Sequence, residues 1–134
     1  GALSSLEVLI LDSNQLTGTI PAELGALSSL EVLSLRSNQL TGTIPAELGA
    51  FSSLETLWLE FNNLSGSMPQ DVCNLRTTNG GLLFLLQADC KSEVVCSCCT
   101  RCFKKKSHQP VAICHTNENN MLILTTLKQA ECVS

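Results

Sequence analysis

Tyrosine is missing from the 134 residues of this chain, and one tryptophan with four phenylalanines supplies all of its aromatic surface. Aliphatic side chains therefore have to fill any core it forms. Long apolar runs are missing as well. The longest, Leu82 to Leu86, falls far short of the roughly 20 residues that a membrane-crossing helix needs, which argues against a transmembrane segment in this chain. Bases are scarce in the first 75 positions, where Arg36 alone faces eight acids, whereas residues 76–134 hold seven bases and four acids. The acidic stretch would repel phosphate, so nucleic acid is excluded as a partner. Lys104–Lys106 is the one basic run, and its expected role is a solvated loop. The chain opens at Gly1 with neither a charged nor an apolar leader, so there is no signal peptide to read. At 44% hydrophobic residues the composition suits a folded chain rather than a disordered one or a collagen.

Leucine is abundant, with 24 copies, and it is periodic. Residues 3–26, 27–50 and 51–74 are three copies of one 24-residue unit, and a self-similar period of this length marks a solenoid. The first copy places Leu6, Leu9, Leu11, Asn14, Leu16, Gly18, Ile20 and Pro21 at fixed offsets. The same offsets give Leu30, Leu33, Leu35, Asn38, Leu40, Gly42, Ile44 and Pro45, then Leu54, Leu57, Leu59, Asn62, Leu64, Gly66, Met68 and Pro69. Leu-x-Leu has the period of a strand with one buried face. Asn14, Asn38 and Asn62 are predicted as structural residues, because an amide offers donors and an acceptor to the backbone of adjacent coils. The glycines permit a turn that a side chain would hinder, and each proline suits the start of a short helical turn.

This spacing resembles that of plant-type extracellular leucine-rich repeats, L-x-x-L-x-L-x-x-N-x-L-x-G-x-I-P, over residues 3–74. The resemblance implies an α/β solenoid: a right-handed superhelix with a parallel concave sheet, a second shorter sheet beside it and short convex helical turns. Gly1-Ala2 matches Gly25-Ala26, so the chain begins inside a unit, and the expectation is a fragment with an open N-terminal end. At the other end Leu75 opens a degenerate fourth unit, interrupted around Thr77–Gly81, with Leu83, Leu86 and Ala88 at the strand positions. Asp89-Cys90 and the Cys96–Cys102 cluster resemble the cysteine-rich C-terminal caps of such proteins, most of all those of diatom-type algae. The organisation expected is thus repeats over 1–74, degenerate repeat and cap over 75–102, and over 103–134 a polar loop (Lys104–Asn120) and a short segment, Met121–Leu127, readable as helix or strand.

Eight cysteines can pair in 105 ways. Cys73, Cys90, Cys96, Cys98, Cys99 and Cys102 make a set for three disulfides, with Cys114 and Cys132 for a fourth; a zinc site is the competing reading of thiolates so closely spaced. His108 and His115 are expected as loop residues. Bridges would place the chain in an oxidising, extracellular compartment. Asn63-Leu64-Ser65 is a glycosylation sequon.

The first two units are identical at 22 of 24 positions and differ only where Ile10 becomes Ser34 and Asp12 becomes Arg36. Both are strand positions whose side chains alternate onto the concave face. The third unit varies the same window with Thr56, Trp58, Glu60 and Phe61. The predicted columns are Val8/Val32/Thr56, Ile10/Ser34/Trp58 and Asp12/Arg36/Glu60, with Trp58 beside Phe61 as anchor, because tryptophan and arginine dominate interface energetics. The candidate ligand-binding residues are therefore Ile10, Asp12, Ser34, Arg36, Thr56, Trp58, Glu60 and Phe61. Glu7, Glu31 and Glu55 read as a solvated edge, with no calcium-loop motif. No nucleophile sits with a base and no glycine loop cradles phosphate, so neither an enzyme nor a cofactor is expected. The implied function is recognition of a protein, peptide or glycan by a secreted or cell-surface, receptor-like protein. The alternatives are a structural or adhesive matrix role and, as a special case of recognition, inhibition of a wall-degrading enzyme.

Overall fold

Alternation along the chain decides the first element of each coil. In Val8-Leu9-Ile10, Val32-Leu33-Ser34 and Thr56-Leu57-Trp58 the middle leucine faces one way and its neighbours the other. The computed structural model describes residues 3–104, 114–116 and 122–124, the last two segments by their backbone. Each coil supplies two strands: β1 (Val8–Ile10) and β2 (Thr17–Thr19), β3 (Val32–Ser34) and β4 (Gln39–Thr43), β5 (Thr56–Trp58) and β6 (Asn63–Ser67). The degenerate fourth coil and the cap add β7 (Leu85–Ala88), β8 (Val94–Val95) and β9 (Arg101–Cys102). Two parallel sheets result, β1-β3-β5-β7-β9 on the concave side and β2-β4-β6-β8 beside it. The concave register runs Leu9 to Leu33 to Leu57 to Leu86, so equivalent leucines stack into one continuous core. The fold is a leucine-rich-repeat solenoid.

On the convex side, 3-10 turns at Ala22–Ala26 and Ala46–Ala50 and helix α1 (Gln70–Cys73) each follow a proline with φ between −58° and −65°. That fixed φ sets the entry to the turn at little entropic cost. Gly49 lets consecutive turns stack, since a Cβ there would lie 2.5 Å from the Cβ of Asp71. Gly42, at φ +77°, holds a conformation that other residues adopt only with strain.

Leu30, Leu33, Leu48, Leu54, Leu57 and Leu59 are fully buried, while Leu6, Leu9 and Leu11 of the first coil are only partly covered. A cavity of about 210 Å³ beside that coil is lined by Leu11, Leu16, Ile20, Leu24, Leu35 and Leu40, among others.

The asparagines form the ladder their chemistry predicts. Asn62 Nδ2 donates to the carbonyls of Leu35 (2.9 Å) and Leu59 (3.0 Å), and its Oδ1 accepts from the Leu40 N–H (3.1 Å). Asn38 repeats this set one coil earlier with Leu11, Leu35 and Leu16. Asn14 is exposed and, among the described residues, bonds only within its own coil, to the carbonyls of Leu11 and Asp12. Asp89 ends the ladder: its carboxylate accepts the N–H groups of Phe61 (2.9 Å) and Asn62 (3.0 Å). The N–H groups of Ser13 and Ser37, the counterparts of Phe61, donate to backbone carbonyls of the next coil, so Asp89 puts a side-chain acceptor where the repeat uses the main chain.

Three disulfides close the cap: Cys73–Cys98, Cys90–Cys102 and Cys96–Cys99. These use all six cysteines of the predicted cap set, so none of those thiols is left for zinc. The suggested Cys114–Cys132 pair lies outside the described residues, as do His108 and the side chain of His115. The expectation of one polar loop over Lys104–Asn120 is corrected, because Cys114–Thr116 is strand β10 and pairs antiparallel with β11 (Leu122–Leu124). Backbone pairing between two short segments decides this, and the Met121–Leu127 sequence contains too few residues to reveal it by period.

Candidate functional site on the concave sheet

The side chains next to the stacked leucines alternate to the opposite face. Register sets Ile10 beside Ser34, Ser34 beside Trp58, Trp58 beside Gln87 and Gln87 beside Arg101. Five strands spaced about 4.8 Å apart give this row a span of roughly 19 Å. Gln87 and Arg101 were missed by reading the sequence. Gln87 was visible as the x of Leu86-x-Ala88, but Arg101 belongs to no repeat and is brought there by the fold of the cap.

Ile10 and Val8 are about half exposed, at 55% and 50%, and Arg36 is exposed. Ser34, Thr56 and Glu60 hold their predicted columns but are buried, which corrects the expectation of an open face at those positions. Ser34 donates its hydroxyl to Oδ1 of Asp12, and Oδ2 of Asp12 accepts from Arg36 Nε at 2.8 Å. The Arg36 guanidinium then reaches over the Trp58 ring, 5.4 Å from its centroid. The two positions that distinguish the first two coils are thus wired into one chain, Ser34–Asp12–Arg36–Trp58. Ser34 is short and stands between larger neighbours, so they cover it.

Phe61 was expected beside Trp58 as part of the anchor. Instead it sits at φ +61° and packs edge-to-face on Phe103 of the cap, with centroids 5.2 Å apart. Arg101 stacks on the other partner of that pair, 5.2 Å from the Phe103 ring. Glu7, Glu31 and Glu55 are exposed along the sheet edge, and Phe84 continues their column as an exposed ring that the sequence did not flag.

Glu60 is the unusual group. Its side chain is buried, and neither its Oε2 nor the Nε1 of Trp58 has a hydrogen-bond partner among the described residues. Burial pushes its carboxyl above the ordinary value of 4.5; its own backbone N–H and the Arg36 charge oppose this, while Asp89 and Asp12 add to it. The folded chain holds this proton more tightly than the unfolded chain does. Stability contributed by Glu60 is therefore present at low pH and lost as pH rises through its folded pKa. Glu60→Gln is expected to raise stability at neutral pH and leave it little changed near pH 4. Urea midpoints of parent and variant across that range check this, and a constant difference at every pH refutes the assignment.

Residues 4–64 match the family Leucine rich repeat. No match was found among curated proteins. Several solved structures resemble the chain. A plant peptide hormone receptor, RGFR1, in complex with RGF2 is 42% identical with a TM-score of 0.55, over 64% of this chain and 14% of that one. The leucine-rich-repeat ectodomain of the receptor kinase SOBIR1 from Arabidopsis thaliana is 38% identical with a TM-score of 0.56, over 64% of this chain and 44% of that one. A plant ice-binding protein is 32% identical with a TM-score of 0.54, over 65% and 26%. This chain thus spans less than half the length of each. No helix among the described residues is long and apolar enough to cross a membrane.

Proposed function

We propose that this chain is the non-enzymatic ligand-recognition module of a secreted or cell-surface leucine-rich-repeat protein, and that it binds a peptide or protein segment along the concave row. The observation that carries the reading is the placement of the differences between coils. Two coils otherwise identical differ at Ile10/Ser34 and Asp12/Arg36, and those residues meet on one face with Trp58. A scaffold that tolerated change anywhere on its surface would scatter them. The likeness to a receptor solved with its peptide hormone supports the reading. The ice-binding relative shows that this architecture alone does not fix a ligand, so the argument rests on the row itself. A span of roughly 19 Å suits an extended segment of about six residues at 3.3 Å each. Disulfide closure of the cap agrees with an oxidising compartment.

The test is selection of displayed random peptides against the oxidised chain, followed by calorimetry on the selected sequences. Truncating a buried aromatic anchor costs on the order of 2 kcal/mol, or about 30-fold in affinity. Trp58→Ala is expected to show that loss and Arg36→Ala a smaller one, with Thr43→Ala on the flank unchanged. Peptides that bind all three variants alike would place recognition elsewhere, and the absence of any saturable binder would favour the structural or adhesive matrix role.

A further inference from the structure

The second sheet carries a feature that concave recognition does not use. Coils one and two present Gln15-Leu16-Thr17 and Gln39-Leu40-Thr41, and coil three presents Asn63-Leu64-Ser65 at the same offset. Shortening the amide by one methylene creates an Asn-x-Ser acceptor triplet, and no other asparagine of the chain is followed at the second position by serine or threonine. We infer that Asn63 is an N-glycosylation site, and that its glycan stands on the flank sheet while leaving the concave row free. The inference rests on the secretory compartment proposed above.

The geometry supports this in three ways. Leu64 is buried at 2% exposure, Asn63 is half-buried and Ser65 is exposed, so alternation along β6 puts Asn63 and Ser65 on the side opposite the core. The Asn63 amide is held by no hydrogen bond among the described residues, whereas the adjacent Asn62 commits its nitrogen to the carbonyls of Leu35 and Leu59. One of two neighbouring asparagines is thus a structural strut and the other is chemically available. The ground around it is also open: Thr17, Thr19, Thr41, Thr43, Ser65 and Ser67 are exposed and uncharged, and Asn63 pairs in register with Thr41. A branched sugar therefore meets hydroxyls there rather than a packed neighbour.

The reaction transfers an oligosaccharide from a lipid-linked pyrophosphate donor, supplied by the host's transferase. Asn63 Nδ2 bonds to the anomeric carbon and loses one proton to a base on the transferase. The bond from that carbon to the pyrophosphate oxygen breaks, and the lipid pyrophosphate leaves with the electron pair. The glycan covers the β4–β6 flank and adds nothing to the row from Ile10 to Arg101.

The experiment is secretion of the chain behind a eukaryotic leader, with intact mass measured before and after peptide N-glycosidase. Parent and Ser65→Thr are expected to carry one enzyme-removable glycan, and its removal to leave aspartate at 63. Asn63→Gln and Ser65→Ala are expected to lack it. Glutamine is the residue of the other two coils at this position, so that variant keeps the fold. A parent secreted at its bare polypeptide mass overturns the site, as does a glycan that persists in Asn63→Gln. The same spectra report the cap disulfides, so a bare but oxidised chain sinks the site alone and a reduced one sinks the compartment reading too.

Discussion

Asn62→Ala is expected to remove about 3–5 kcal/mol of stability, from a total that is on the order of 5–15 kcal/mol for a domain of this size. The amide holds two carbonyls, Leu35 and Leu59, and one N–H, Leu40, and Asn62 is only 2% exposed. Alanine leaves the Leu59 carbonyl and the Leu40 N–H unpaired where water does not reach, and each such group costs about 1–3 kcal/mol, while the Leu35 carbonyl loses one of its two donors and keeps Asn38 Nδ2. The comparison that isolates the cause is Asn14→Ala. Asn14 occupies the same repeat position but is exposed and makes no bond between coils, so water replaces what it loses. Its loss is expected to stay below about 1 kcal/mol. Urea unfolding of the two oxidised variants measures both, and equal effects would show that the ladder is not what joins the coils.

Removing the Cys73–Cys98 bridge is the second large effect. It closes a sequence separation of 25, against 12 for Cys90–Cys102 and 3 for Cys96–Cys99. Loop-closure entropy gives about 3.5, 3 and 2 kcal/mol respectively for the unfolded chain, so pairwise replacement by alanine should rank in that order. The first bridge has a further role. Cys73 ends α1 on the convex side of coil three and is buried, so its disulfide ties the cap to the repeat body. Cys90–Cys102 holds β9 at the edge of the concave sheet beside β7. Loss of that pair is therefore expected to release Arg101 from the recognition row while the repeats stay folded. Unfolding curves for the three double variants, with hydrogen exchange at Arg101, read both consequences. A reversed ranking would assign the stabilisation to local packing rather than to chain entropy.

Much of this was legible before any coordinates. Leu9-x-Leu11 and its copies state a strand, the asparagine states a backbone-pairing turn, and identity between coils states a fixed register. Each follows from local rules whose signal is repeated three times, so a single ambiguous copy does not mislead. The row Ile10–Ser34–Trp58 was legible for the same reason. Its extension to Arg101 was not, because the cap has no period and its strand is placed by disulfides that sequence leaves among 105 pairings.

The sequence by itself determined the solenoid and the column each concave side chain occupies, because a 24-residue period brings equivalent residues to one place; the second sheet was what the family resemblance implied. Only the tertiary structure decided which of those side chains meet solvent. Ser34 and Glu60 share columns with Ile10 and Arg36, yet they are buried where the latter are exposed. Exposure depends on what neighbouring strands and the cap lay across a position. Asp12 binding Ser34 and Arg36, Arg36 covering Trp58 and Phe103 holding Phe61 are contacts between residues far apart in the chain. A repeat fixes where a side chain starts; its partners across strands settle where it ends.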